Sequence, residues 1–375
     1  MKSLLVIAGE DSGDMHAADV IRALKQNRSD VSFWGIGGAK LRAEGVETLH
    51  DVHEMDVMGF VEVLAKYSFF KSVFDEVLAE VDKRKPEAAL LIDYPGFNLR
   101  LAKELKKRGV KVLYYICPQV WAWNRARIPK MAEIIDRLMV IFPFEVDVFK
   151  EVDLKVDFVG HPMVDELRAF REEEQEALPW NGKKKIALLP GSRKQEISYI
   201  LKPLLEAARM MEESRPDLSF IIPVPERRLP LVEEILQKAK NAPRNLSVIT
   251  GQVREVLKQA DAAFVASGTA TLEAALLGCP TVLVYRGGFL NYQLVRMLIR
   301  VPWFGIANII SGKEIMPERL QTHMRPVELV ATIDPLMNDT PGRAAMLDHF
   351  QTLEKELGAG SPAARVAKII AAELA

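Results

Sequence analysis

"KKKIALLPGSRKQEISYILKPLLEAARMM", residues 183–211, decides the fold. A short apolar run stops at Pro190-Gly191-Ser192, and the chain then takes up the apolar spacing of an amphipathic helix. "KSLLVIAGEDSGDMHAADVIRALK", residues 2–25, follows the same plan of strand, glycine-containing loop and helix. Each of these openings is followed by alternating strands and helices. Strands are expected near 31–36, 88–92, 111–116, 137–141 and 156–159, then near 219–224, 246–249, 262–266 and 281–285. Such β-α alternation calls for parallel sheets with helices on both faces. The fold class is therefore α/β, with two doubly wound Rossmann-like domains facing a cleft and ligands at the carboxyl ends of the strands. Residues 1–165 form the first domain, 166–184 a charged linker broken near Pro179, and 185–345 the second domain. Residues 346–375 are helical and able to pack back on the first domain.

The totals fit this reading. A chain of 375 residues, 49% apolar and 27% charged, is globular with ample core. A net charge of −1 gives no overall attraction to nucleic acid, which is not expected as a partner. Cys117 and Cys279 both end apolar runs and show neither disulfide nor metal spacing, so a reducing compartment is expected. The apolar start, residues 4–8, is too short for a signal peptide, and no run approaches the ~18 residues that span a bilayer.

The two opening loops differ in charge. "AGEDSGD" carries Glu10, Asp11 and Asp14 and lacks GxGxxG spacing, which disfavours a dinucleotide. "LPGSRKQE" instead sets Gly191 and Ser192 at a helix start with Arg193 and Lys194 behind them, a place for a pyrophosphate. A second turn of this kind, Ser267-Gly268-Thr269, follows the strand at 262–266, so two helix N-termini can share one anion. Glu273, one turn further in, either takes the ribose hydroxyls or is merely solvated.

In the first domain, "LLIDYPGFNLRLA" ends a buried strand at Asp93, which is either a general base or the cap of the next helix. "YYICPQVWAWNRARIPKM" offers Trp121 and Trp123 as exposed platforms beside Arg125 and Arg127, suited to a sugar carrying a phosphate. Residues 57–78 are apolar round more than one face, through Phe60, Val63, Leu64, Tyr67, Phe69, Phe70 and Phe74, with Lys66 and Lys71 between them. That pattern reads as a helix in a membrane interface or one buried between domains. Residues 289–310 have the same mixture. Metal ligands are not indicated: His50 and His53 lack companions at zinc spacing, and there is no Asp-X-Asp.

Taken together, "AGEDSGD", "VMGFVEVL", "IDYPGFN", "PQVWAW", "FVGHPMVD", "LLPGSR", "SGTATLEAAL" and "ANIISGKE" resemble the lipid-A-disaccharide synthases, in the family's order and nearly end to end. The resemblance implies a GT-B glycosyltransferase without a cofactor, cytoplasmic and peripheral on the inner face of the cytoplasmic membrane. It would join UDP-2,3-diacylglucosamine to 2,3-diacylglucosamine 1-phosphate through a β-1,6 linkage with inversion, in lipopolysaccharide biosynthesis. Asp93 would be the base. Gly191, Ser192, Arg193, Ser267, Gly268, Thr269 and Glu273 would hold the donor, with Asn308 and Glu314 closing its pocket. The acceptor side would comprise Glu10, Ser12, Gly13 and the tryptophan-arginine loop. Homo-oligomers are compatible with the sequence. Asp11, Gly96 and Pro317 depart from the pattern of some members, and Gly96 leaves Asp93 the lone carboxylate of its loop. A UDP-sugar epimerase of the same fold and a lipid carrier with a degenerate nucleotide site are the rival readings.

Overall fold

Strands buried on both faces need apolar side chains at every position, and the β1 strand Lys2–Ala8 has them from Leu4 onward. Its alternate residues feed two separate cores. Leu5 and Ile7 join Leu91, Val112, Tyr114 and Val140 on one face of the sheet. Leu4, Val6 and Ala8 join Leu90, Leu113, Tyr115 and Met139 on the other. The computed structural model describes residues 2–55, 67–239, 242–288, 292–293, 301–358 and 360–374.

Two compact units result: Met1–Pro162 with Leu357–Ala375, and Met163–Glu356. Unit 1 holds β1, β2 (Val31–Ile36), β3 (Glu47–His50), β4 (Ala88–Ile92), β5 (Lys111–Tyr115), β6 (Arg137–Val140) and β7 (Lys155–Phe158). Its sheet is parallel throughout, in the order β3-β2-β1-β4-β5-β6-β7. Unit 2 holds β8 (Lys184–Leu189), β9 (Leu218–Val224), β10 (Leu246–Thr250), β11 (Ala262–Ala266), β12 (Thr281–Tyr285) and β13 (Glu318–Leu320). These too are parallel, in the order β10-β9-β8-β11-β12-β13. The short edge strands β3 and β13 carry too little apolar pattern to be read from sequence. In both sheets the order reverses beside the first strand, so loops leave in opposite directions after β1 and β4, and after β8 and β11. Ligands of open α/β sheets bind at such points.

The expected boundary at 346 shifts. The helix Pro341–Glu356 stays with unit 2, and only the chain from Leu357 returns to unit 1. There the helix Pro362–Glu373 buries Val366, Ala367, Ile370 and the following Leu374 against the core. Glu373 fixes its end by pairing with Lys111 at 2.8 Å and Arg137 at 3.2 Å.

The greasy segment is described from Tyr67 onward, as the helix Tyr67–Arg84. Phe60, Val63, Leu64 and Lys66 lie outside the described residues, as do 289–291 and 294–300 of the second apolar stretch. Val73, Val77 and Val81 are buried one turn apart, and Phe69, Phe70 and Phe74 pack half-buried beside them. Phe74 meets Phe97 edge-on at 5.6 Å. Tyr67, 59% exposed, stays outside this stripe. Those three phenylalanines therefore serve the core of unit 1. Replacing Phe69 and Phe70 together by Ser should cost about 2–4 kcal/mol of stability, because rings leave a packed face. Tyr67→Ser should stay within about 0.5 kcal/mol. Urea melts of the two variants check the contrast, and equal melts would mean the two rings bury nothing of consequence.

Candidate functional site

The reversal point of unit 1 brings the ends of β1 and β4 together. Gly9 follows β1, and a Cβ there would meet the Tyr94 ring at 2.3 Å, so only glycine lets that ring lie across the strand end. After β4, both Asp93 and Tyr94 take left-handed backbone, with φ of 42° and 48°. Two adjacent non-glycine residues in that region are strained, a condition that clusters at functional sites. The strain is held by surrounding bonds. Asp93 N–H donates to the Tyr115 carbonyl at 2.9 Å, the Asp93 carbonyl accepts from Asn98 and Tyr114, and the Tyr94 hydroxyl donates to the Met55 carbonyl.

Tyr94 occupies the N-cap position of the helix Pro95–Lys107 without a side-chain cap bond, and Pro95 sits in its first turn, so Asp93 is not the cap residue. Burial pushes the Asp93 carboxyl up to about 6, the Glu10 charge adds to this, and the Tyr94 N–H pulls the other way. Glu10 precedes the helix Asp11–Lys25 and accepts from the Ser12 hydroxyl at 3.1 Å; Gly13 is buried in the first turn. Asp14, by contrast, is spent. Its carboxylate accepts from the N–H groups of Gly38, Lys40 and Leu41 and is 3% exposed.

The tryptophan loop divides in two. Trp121 is buried, not the exposed platform expected: its indole N–H donates to Glu145 at 3.0 Å and its ring meets Phe144 edge-on. Trp123 is 52% exposed, with the Arg127 guanidinium 5.4 Å over its ring, and Arg125 is exposed beside them. Glu145, unsuspected from sequence, ties the loop after β5 to the one after β6. Its other oxygen accepts from the Phe142 N–H at 3.1 Å, while burial raises its carboxyl to about 8.

In unit 2 the reversal point joins Pro190-Gly191-Ser192 after β8 with Ser267-Gly268-Thr269 after β11. Gly191 has φ 100°, and a Cβ there would lie 2.5 Å from a Glu196 oxygen. That carboxylate corrects one expectation. It accepts from the N–H groups of Ser192 and Arg193, both at 3.2 Å, where a phosphate was expected. Arg193 also pairs with Glu196 at 3.0 Å yet remains 83% exposed. Arg228, missed in the sequence, donates to the Ser192 carbonyl at 3.1 Å and adds a second cation.

Gly268, at φ 152°, precedes the helix Thr269–Leu276, and its carbonyl accepts from the Thr271 hydroxyl. Ser267 donates to the Phe304 carbonyl at 3.2 Å. Glu273 is not solvated: it accepts from Arg254 at 2.9 Å, and Arg254 reaches Glu166 at 3.1 Å. Asn308 is fully buried and engaged with Ile315, Met316 and Glu318. Glu314 is exposed and accepts from the Glu318 N–H at 3.3 Å.

The family model described as lipid-A-disaccharide synthetase matches residues 4–366. A lipid-A-disaccharide synthase from Trichlorobacter lovleyi is 35% identical over 372 residues, covering 98% of this chain and 97% of the relative. One from Myxococcus xanthus is 37% identical over 378 residues, covering 98% and 96%. Among solved structures, Methanocaldococcus jannaschii UDP-GlcNAc 2-epimerase in complex with UDP-GlcNAc and UDP superposes with a TM-score of 0.59. It is 13% identical and covers 99% of this chain and 100% of that one, which speaks to a GT-B-like fold alone.

The Asp93–Glu10 pair supplies a test that needs no relative. With a folded-state value near 6, Asp93 should be half-ionised about two units above an ordinary aspartate, visible in a carboxyl NMR titration. Glu10→Gln removes the repelling charge and should move that midpoint down. An unmoved midpoint would assign the whole shift to burial.

Proposed function

The chain belongs to the lipid-A-disaccharide synthetase family, and we propose how its residues divide that family's glycosyl transfer between the two units. The activity is that of a lipid-A-disaccharide synthase in lipid A biosynthesis. The acceptor is 2,3-diacylglucosamine 1-phosphate, served by unit 1, and the donor is UDP-2,3-diacylglucosamine, served by unit 2. Asp93 takes the proton of the acceptor 6-hydroxyl as that oxygen bonds to the anomeric carbon. The carbon–phosphate-oxygen bond breaks with its electron pair on UDP, and the configuration inverts to β. The observation that carries this is a strained carboxylate at the sheet's reversal point, its pKa near the working range of a general base.

The leaving diphosphate gains charge in the transition state, where pre-aimed donors contribute most. Glu196 already occupies the Ser192 and Arg193 amides, so the burden falls on the Arg193 guanidinium, Arg228 and the N–H groups of Gly268 and Thr269, with Gly191 and Ser267 shaping the turns. Glu273, oriented by Arg254, takes the ribose hydroxyls. Glu10, Ser12 and Gly13 line the acceptor loop, and Trp123, Arg125 and Arg127 take the acceptor phosphate.

Among the described residues no helix is long and apolar enough to cross a membrane. A peripheral contact with the inner face of the cytoplasmic membrane is proposed for the start of the greasy segment, Tyr67 and the residues before it. The epimerase reading rests on likeness of fold alone, which hosts many functions. Family membership over residues 4–366 outweighs it.

Turnover with both substrates saturating tests the base. Asp93→Asn should lower it by about 10²–10⁴ while donor binding holds, and near-normal turnover would move the role to Glu10. Arg193→Ala should weaken UDP binding about ten- to a hundredfold, the loss of one charge-assisted contact. Calorimetric titration reads this, and an unchanged affinity in a folded variant would remove Arg193 from the donor site.

A further inference from the structure

Unit 2 contains a cavity of about 670 Å³ at the ends of β12 and β13. That is within the range of pockets that enclose most of a drug-sized ligand, ~300–1,000 Å³. Two links tie it to the donor turns. Tyr199, on its wall, lies in the second turn of the helix that Pro190-Gly191-Ser192 opens. Glu318, also on its wall, accepts from the N–H of Phe304, whose carbonyl accepts from Ser267.

The polar walls are largely satisfied from within the protein. Glu318 is taken by the N–H groups of Phe304 and Gly305 and by Asn308. Gln321, with its amide oriented to suit, exchanges two hydrogen bonds with the Gly287 backbone, at 3.1 and 3.2 Å. His323 pairs with Glu328 at 3.2 Å. What remains for a guest is mostly apolar: Leu320, Tyr199 at 44% exposure, and Tyr292, whose ring stacks on Phe304 at 5.7 Å, with the exposed Gln293 and Thr322 at the rim. Arg286 adds a charged side chain there, an exposed guanidinium suited to a carbonyl oxygen. A largely apolar wall with a few donors at its rim, Arg286 among them, matches an acyl chain attached through an amide or ester.

We propose that this cavity receives the proximal part of an acyl chain on the donor sugar, and that Tyr199 and Leu320 set which chain lengths are accepted. The proposal rests on the assignment of the donor to unit 2. Each methylene withdrawn from water changes affinity about fourfold, so a few of them are enough to select a chain.

The experiment compares a long-chain donor with its acetyl counterpart, in wild type, Leu320→Trp and Tyr199→Ala, with UDP affinity measured alongside. Leu320→Trp narrows the cavity at its apolar wall and should raise KM for the long-chain donor at least about tenfold, while the acetyl donor stays within about twofold. Tyr199→Ala removes half-exposed wall and should shrink the preference for the long chain about fourfold or more; it decides alone if the tryptophan variant does not fold. Equal changes for both donors, as from a cavity that holds only the sugar or the base, overturn the proposal, and so does an unchanged preference. UDP affinity separates the two levels. If it is insensitive to Arg193→Ala, the donor assignment falls and the proposal with it; if it is sensitive while chain preference stays constant, only the proposal falls.

Discussion

A parallel strand covered on both faces has no side chain to spare for chemistry, because every residue along it belongs to one core or the other. β1 illustrates the constraint: Leu4, Val6 and Ala8 face one cluster while Leu5 and Ile7 face another. Polar groups can enter only where such strands stop, and the reversal of strand order decides where two stops leave room. Asp93 and Glu10 stand at that place in unit 1, and the turns at 191–193 and 267–269 stand at its counterpart in unit 2.

The two reversal points share a geometry and differ in electrostatics. In unit 1 a carboxylate is partly withdrawn from water beside a second one, which raises its pKa to about 6 and suits it to receive a proton. In unit 2 helix N-termini and arginines gather, but one carboxylate, Glu196, already satisfies two of the N–H groups. Free amides at a helix start are costly to leave unpaired, and Glu196 satisfies these two from within the same helix. Among the cationic side chains beside that turn are Arg193, which stays exposed, and the half-buried Arg228.

Secondary interactions hold these loops in strained or extended forms. Asn98 and Tyr114 grip the Asp93 carbonyl and so support a left-handed backbone that costs ~1–3 kcal/mol per residue. Glu145 does comparable work for the tryptophan loop, joining the loops after β5 and β6 through Trp121 and Phe142. Asn308 and Glu318 play that part in unit 2, where four hydrogen bonds of one buried amide fix the chain before β13.

By itself the sequence determined the fold class, the strands with full apolar runs, and the loops that end them, because those features are local in period and in glycine or proline chemistry. It also carried the motifs by which family membership is legible along nearly the whole chain. Only the tertiary structure decided which side chains those loops present. Trp121 looks like an exposed platform until Glu145, 24 residues on, is seen to draw it inward. Glu196 and Arg228 look like ordinary surface charges until their hydrogen bonds to the turn at 191–193 appear. Phe69, Phe70 and Phe74 fit lipid as well as core until neighbours such as Phe97 are in place. Each of these depends on partners distant in sequence, and hydrophobic period says that a side chain is buried without saying by what.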